Sequence, residues 1–479
     1  MYFNSIEYPF FLLVVLFGFW ALARRRRARH LALLAASYFF YGCWNWRYLG
    51  LIVFATMVHY VVALALDGTR RAGRRKLLLA VSVVTSLGVL GFFKYSGFFA
   101  DNLNVLLQGL GLQRLVPYAR ALLPVGISFY TFQAMSYTID VYRGELKARR
   151  SLLDVALFIA FFPQLVAGPI LRASQFMPQL ERDPHYDDAR AASGLFRILT
   201  GLVKKVIIAD TLGVALVDKV FGTQAAAAGL DEAAPIQILI AVYAYTFQIY
   251  CDFSGYSDIA IGTGRLMGFE IPENFDRPYV AVNLRDFWRR WHISLSTWLR
   301  DYLYIPLGGS RQGRARTYWA LAVTMLLGGL WHGASWNFLL WGAFHGVLLA
   351  LTRWWQRRRK AAGLVPSANT TVILLKRLGT FHLVCLGWVF FRALTLSDAV
   401  TALGRLGAWG EGRVHVPGEV TAVLVVAIAA HLTPKVWLGR AGEWFVRMPA
   451  WVQACSAVAV IWLASLMAQA AAPFIYFQF

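Results

Sequence analysis

An all-α, polytopic membrane domain is the fold this sequence predicts, and three observations predict it. Of 479 residues, 58% are hydrophobic and only 15% charged, well under the roughly 25% charge of an average soluble domain. Apolar runs recur along nearly the whole length. The formal charge of +22 falls in short basic clusters at the ends of those runs, the pattern of orientation signals and lipid anchors rather than of a nucleic-acid surface, so no nucleic-acid partner is expected.

Taken in order, the apolar runs are Phe10–Leu22, Leu31–Trp44, Leu51–Leu66, Leu77–Phe93, Leu152–Ile170, Ile236–Tyr250, Tyr318–Leu330, Leu339–Leu351, Val372–Phe391, Val420–Ala430 and Trp451–Ala471. They predict about ten to twelve membrane segments. Several fall short of the ~20 residues an upright span needs. Those are expected to be broken, re-entrant or buried, because irregular backbone survives at membrane depth only where protein or a cavity satisfies it. Pro124-Val-Gly126, Pro163 and Gly168-Pro169 interrupt apolar runs, and proline removes a backbone donor while crowding the preceding turn. Helix breaks are expected there.

Arg24–Arg29 follows the first run, the reverse of the order in a cleavable signal peptide, and orients the first helix with its N-terminus outside. Arg70–Lys76, Arg143–Arg150, Arg353–Lys360 and Lys376–Arg377 mark further cytoplasmic ends, and Gly407–Gly418 an outer loop. No soluble domain interrupts the pattern. The expected organisation is one transmembrane domain over residues 1–479, with core motifs in 120–350 and C-terminal membrane helices in 372–479. Cys43, Cys251, Cys385 and Cys455 are scattered, without zinc spacing. Neither a metal nor a permanently bound cofactor is expected.

The segment FWRRWHISLSTWLRD, Phe287–Asp301, is unusual in so apolar a chain. On one continuous helix at 100° per residue, Arg289, His292, Ser296 and Arg300 share a stripe, with Trp288, Trp291, Leu295, Trp298 and Leu299 opposite. Such an amphipathic helix suits the bilayer interface. An anchor has no need of the histidine, which neighbouring arginines would keep neutral. Arginine forks bind phosphate bidentately, so Arg289, Arg290 and Arg300 are candidates for holding a phosphate-bearing cytoplasmic molecule.

Farther on, GGLWHGASWN, Gly328–Asn337, places His332 in an apolar stretch. An ionisable group at such depth points to function, and a neutral imidazole in a dry pocket is a general base. Ser335, three residues on, is positioned to hydrogen-bond it, and Gly329 and Gly333 leave room for a substrate or another helix. In YCDFSGYSD, Asp252 and Asp258 stand six residues apart and do not form a dyad. They are expected to pair with arginines such as Arg277 or Arg289, or to orient His332. His59 and His345 read as core or interhelical contacts.

Six ordered stretches together resemble the membrane-bound O-acyltransferase family, nearest its bacterial branch that contains the membrane subunit of alginate O-acetylation. They are PVGISFYTFQAMSYTIDVYRG (Pro124–Gly144), FFPQLVAGPILR (Phe161–Arg172), YCDFSGYSDIAIG (Tyr250–Gly262), NFDRPY (Asn274–Tyr279), FWRRWHISLSTWLRDYLYIPLGG (Phe287–Gly309) and LGGLWHGASWNFLLWGAFHG (Leu327–Gly346). The closing FIYFQF, Phe474–Phe479, is similar to the ends of many members. The resemblance implies a ring of membrane helices around a tunnel, with His332 catalytic and His292 at the second frequently cited polar position.

The resemblance also implies an acyl group, acetyl in the bacterial branch, moved from acetyl-CoA or an acyl carrier protein to a hydroxyl. The acceptor would be an exopolysaccharide such as alginate, reached through a periplasmic acetyltransferase partner from the inner membrane. Transfer of D-alanyl groups to a cell-wall polymer is the alternative, and a proton-coupled transporter or flippase a further one. A hydroxyl benefits from a positioned base, which His332 would be. Asn337, Trp331 or a backbone amide near Gly333 would stabilise the oxyanion. His292 would orient the donor arm or carry a second proton. Together with Ser335 and Asp252, these residues complete the expected site.

Overall fold

The computed structural model describes residues 1–467 except 2, 113–115, 118–121, 167, 224–225, 366 and 409–413. The motif at Phe474–Phe479 lies outside the described residues. Every long element among them is a helix. Five helical stretches are long and apolar enough to cross a membrane: Arg26–Asp67, Ala72–Gly109, Pro235–Leu266, Thr370–Arg392 and Ala450–Met467. Gly418–Leu432 with Lys435–Arg447, bent by 95° between them, makes a sixth. The other apolar runs form helices that are shorter, more polar or interrupted. Phe10, Phe17 and Val84 are outward-facing, as they are where the surrounding solvent is lipid rather than water.

Contacts group the chain into two compact units. The first holds Met1–Gly194 with Ala260–Pro272. Here the expected breaks occur. The run from Leu152 is a helix to Ala160, a turn at Phe161 and a four-residue helix Phe162–Leu165. At Gly126 the backbone is left-handed (φ 73°), and a Cβ there would lie 2.5 Å from the Leu165 carbonyl oxygen. Only glycine lets the two broken segments approach so closely. His59 is an interhelical contact, as its apolar setting suggested: Nδ1 is 3.1 Å from Thr138 Oγ1 and Nε2 2.8 Å from Ser86 Oγ.

The second unit holds Leu195–Ile259 with Glu273–Phe479 and contains every candidate site residue. Its central feature is a helical hairpin, the His332 helix (Arg314–His332) and the His345 helix (Trp336–Ala361). Glycine lets the pair touch backbone to backbone. A Cβ on Gly329 would sit 2.2 Å from Phe338 O, and one on Gly342 2.4 Å from Met325 O. At Gly333 the space belongs to the Phe338 ring, 2.0 Å from a would-be Cβ. The room that Gly329 and Gly333 leave is therefore filled by the neighbouring helix, not by substrate.

Gly342→Ala is expected to destabilise the protein by about 1–3 kcal/mol, the usual cost of overpacking where only backbone can yield. A lower midpoint in thermal unfolding of the detergent-solubilised protein would register it; an unchanged midpoint would refute the close-contact account.

Candidate active site

The Phe287–Asp301 segment does not form the single helix its periodicity suggested. It breaks into Leu284–Arg290 and Ile293–Leu299, with His292 between them in the left-handed region (φ 41°, ψ 57°). Such a backbone costs a non-glycine residue about 1–2 kcal/mol, and the Asn274 motif holds it there. Asn274 Oδ1 accepts from Ser294 N (3.1 Å), Ser294 Oγ (2.9 Å) and His292 Nδ1 (3.2 Å). Its carbonyl accepts from Ile293 N, while Asp276 N donates to Arg290 O. Asn274 Nδ2 in turn donates to Ser257 Oγ at 3.2 Å.

The break removes His292 from the cationic stripe. Arg289, Ser296 and Arg300 stay together, lining a cavity of about 590 Å³. His292 turns inward, fully buried, with its ring 4.6 Å from that of Phe253 and 6.1 Å from that of Trp331. Burial, rather than the arginines, pushes its pKa down to about 3. With Nδ1–H donated to Asn274, Nε2 is the acceptor of the neutral ring.

Further residues that the sequence reading did not assign to the site line the cavity, among them Arg285, Arg353 and Trp288. Arg353 had looked like a topology signal and Trp288 like an interface anchor. Among the described residues, Arg285, Arg289 and Arg353 have no carboxylate within ion-pairing distance, whereas Arg300 pairs with Asp301 at 2.6 Å. Burial and the charges of Arg289 and Arg353 lower the pKa of Arg285, the mark of cations gathered without a counter-charge. Arg290 is corrected out of this group: it bonds Asp286 at 2.9 Å and lies 3.7 Å from Asp276. One residue of register, about 100° around the helix, separates a side chain facing the cavity from one facing the Asn274 loop.

His332 ends its helix in an aromatic enclosure. Its ring centroid lies 5.1 Å from Trp331, 5.0 Å from Trp341 and 5.2 Å from Phe391. Trp331 thus touches both histidines. The cavity reaches Thr324 on the same helix, eight residues or about 12 Å along the axis from His332. Leu299, another cavity residue, would meet a Cβ on Gly328 at 3.3 Å, so the cavity wall continues toward the histidine.

Other expectations change. Ser335 is not an i+3 neighbour of His332 on one helix, because the helix stops at His332 and Ser335 begins the next. Asn337 Nδ2 donates to Ala393 O at 2.8 Å and ties two helices together; it is committed to structure. Among the described residues Asp252 pairs with a lysine, and Asp258 with a lysine and, as expected in kind, an arginine, but that arginine is neither Arg277 nor Arg289. Lys205 Nζ is 2.7 Å from both Asp210 and Asp252, and Asp258 receives Lys204 and Arg197. Gly201 and Gly255 allow the approach, since a Cβ on Gly255 would be 2.7 Å from Gly201 O. Two lysines in one apolar run and two aspartates in another were the available sequence signal.

A sequence model of the membrane-bound O-acyltransferase family matches residues 143–392. The chain belongs to that family. It is similar to the probable alginate O-acetylase of Pseudomonas putida, 40% identical over 510 residues and the whole of both chains. The corresponding Pseudomonas aeruginosa protein is 46% identical over 85% of this chain and 76% of its own length. A peptidoglycan O-acetyltransferase of Helicobacter pylori is 38% identical over 82% of this chain and 76% of its own. This chain is therefore a multi-pass membrane O-acyltransferase, which replaces the transporter alternative.

Lys205→Ala is expected to cost about 3–5 kcal/mol, because it leaves two buried carboxylates without their cation. Retention of a monodisperse, equally thermostable protein would show that the cluster is not structural support. Asn274→Ala should release the strained turn at His292, and limited proteolysis should then cut near 291–293 faster than in the wild type.

Proposed function

We propose that this protein takes an acetyl group from a cytoplasmic pantetheine thioester and passes it across the bacterial inner membrane for O-acetylation of an exopolysaccharide, alginate or a close analogue. The observation that carries the reading is the cavity at Arg285, Arg289 and Arg353, whose cations have no carboxylate within ion-pairing distance among the described residues and whose wall continues toward His332. The names of the relatives supply the acyl group and the polymer class.

Arg285, Arg289 and Arg353, with Arg300 at the rim, hold the donor's phosphates through charge-assisted bonds. Along the His345 helix, Arg353 and Trp341 are twelve residues or about 18 Å apart. A pantetheine arm, comparable to four or five extended residues or about 15 Å, covers most of that distance. Its thioester then lies at the aromatic enclosure around His332. His332 takes the proton of the acceptor hydroxyl, whose oxygen attacks the thioester carbonyl carbon. The C–S bond breaks, and the thiolate departs and is protonated as the ester forms. Trp331, touching both histidines, is the side chain placed to stabilise the developing oxyanion, and His292 orients Trp331 from its other side. A separate periplasmic acetyltransferase completes delivery to the polymer.

Acetyl-coenzyme A with radiolabel in the acetyl group is the direct test, following thioester loss and label in polysaccharide or partner. His332→Ala is expected to lower transfer by about 10²–10⁴-fold at unchanged folding; full activity in the variant would refute the base assignment. Arg289→Ala with Arg353→Ala is expected to weaken donor binding about tenfold or more and to flatten its salt dependence. Arg290→Ala, facing away from the cavity, serves as the comparison. Equal affinities in all three proteins would remove the phosphate-binding role.

A further inference from the structure

We propose that His345, with the indole N–H groups of Trp288 and Trp341, grips an amide of the donor's arm midway between the arginine mouth and His332. The proposal rests on the thioester reading above and adds to it the part of the donor that is recognised.

His345 is fully buried. Among the described residues neither of its ring nitrogens has a hydrogen-bond partner, nor do Nε1 of Trp288 and Nε1 of Trp341. The three rings are in mutual contact, with His345 5.3 Å from Trp288 and 4.8 Å from Trp341, and the tryptophans 5.7 Å apart. Buried polar groups are as a rule hydrogen-bonded, and leaving four nitrogens unsatisfied in one place is costly. Phenylalanine would fill the same space without that cost. The site is also kept open for the imidazole: a Cβ on Gly387 would lie 2.9 Å from His345 Nε2.

Position gives the cluster its role. Trp288 belongs both to the donor cavity and to this group, while Trp341 touches His332. On their helix Arg353, Leu349, His345 and Trp341 follow at four-residue intervals, each about 6 Å farther from the mouth. Arg353 and Leu349 line the cavity, and His345 is the next step inward.

The chemistry selects the guest. Phe287 stacks on His345 at 6.2 Å, and Phe344 meets it edge-on at 5.6 Å. The described residues in ring contact with His345 include no cation for a charged phosphate, and the arginines stand at the mouth. A neutral secondary amide fits. Its carbonyl accepts from an indole N–H or the imidazole N–H, and its own N–H donates to the remaining imidazole nitrogen. A pantetheine arm carries two such amides on an otherwise largely apolar chain.

The test compares two acetyl thioesters on the full-length purified protein: S-acetylpantetheine, which has the amides, and S-acetyl-2-mercaptoethanol, which has none. In wild type, kcat/KM should favour the amide-bearing donor. In His345→Phe that preference should fall about tenfold, carried by KM, and His345→Gln should restore part of it by returning a donor and an acceptor. Trp288→Phe, which keeps an aromatic ring but removes one N–H, should move the preference in the same direction and covers the case in which His345→Phe does not fold. An unchanged preference in the folded variants overturns the proposal, since a packing or buried-water role would not separate the two donors. If wild type consumes neither thioester, the donor reading itself fails, which is a different result.

Discussion

The backbone contact between the His332 and His345 helices, at Gly329 and Gly342, is the constraint on which the site depends. Side chains larger than hydrogen at these positions would push the helices apart by the width of a methyl group or more. Trp341 would then no longer lie 5.0 Å from His332, and the arginine at the far end of the hairpin would no longer share a cavity with Arg289. In a lipid environment, where helix association gains little from the hydrophobic effect, such small-residue contacts supply the dispersion energy that holds helices together.

A second constraint acts on the adjacent segment, where one short sequence serves two opposite environments. Arg289 and Arg300 line an open cavity, whereas His292 is fully buried. A continuous helix would put all three on one side. The Asn274 loop resolves this by inserting its side-chain and main-chain acceptors at the break, which turns His292 by a single left-handed residue. The backbone strain is offset locally by three hydrogen bonds to one amide oxygen.

The buried charges follow the same logic of internal satisfaction. Lys204, Lys205 and Arg197 meet Asp210, Asp252 and Asp258 across a glycine crossing, so these carboxylates are bound to cations. The arginines around the cavity differ because three of them have no such partner among the described residues. Within one unit, the presence or absence of a counter-charge among the described residues separates the paired ionic groups from the arginines that line the cavity.

The sequence by itself determined the helical membrane class, the broken segments at Pro124–Gly126 and Phe161–Ile170, and the two histidine motifs, because composition, proline and glycine act locally. It also made Arg289, Arg300 and His332 readable as unusual in their settings. Which groups share a pocket was decided only by tertiary structure. Arg353 joins Arg289 across more than sixty positions of sequence, Asp252 finds Lys205 rather than an arginine, and Asn337 is taken by Ala393. Those pairings depend on helix approach and on one left-handed residue, which are set by packing between distant segments. A helical wheel contains neither, so it placed His292 with the arginines.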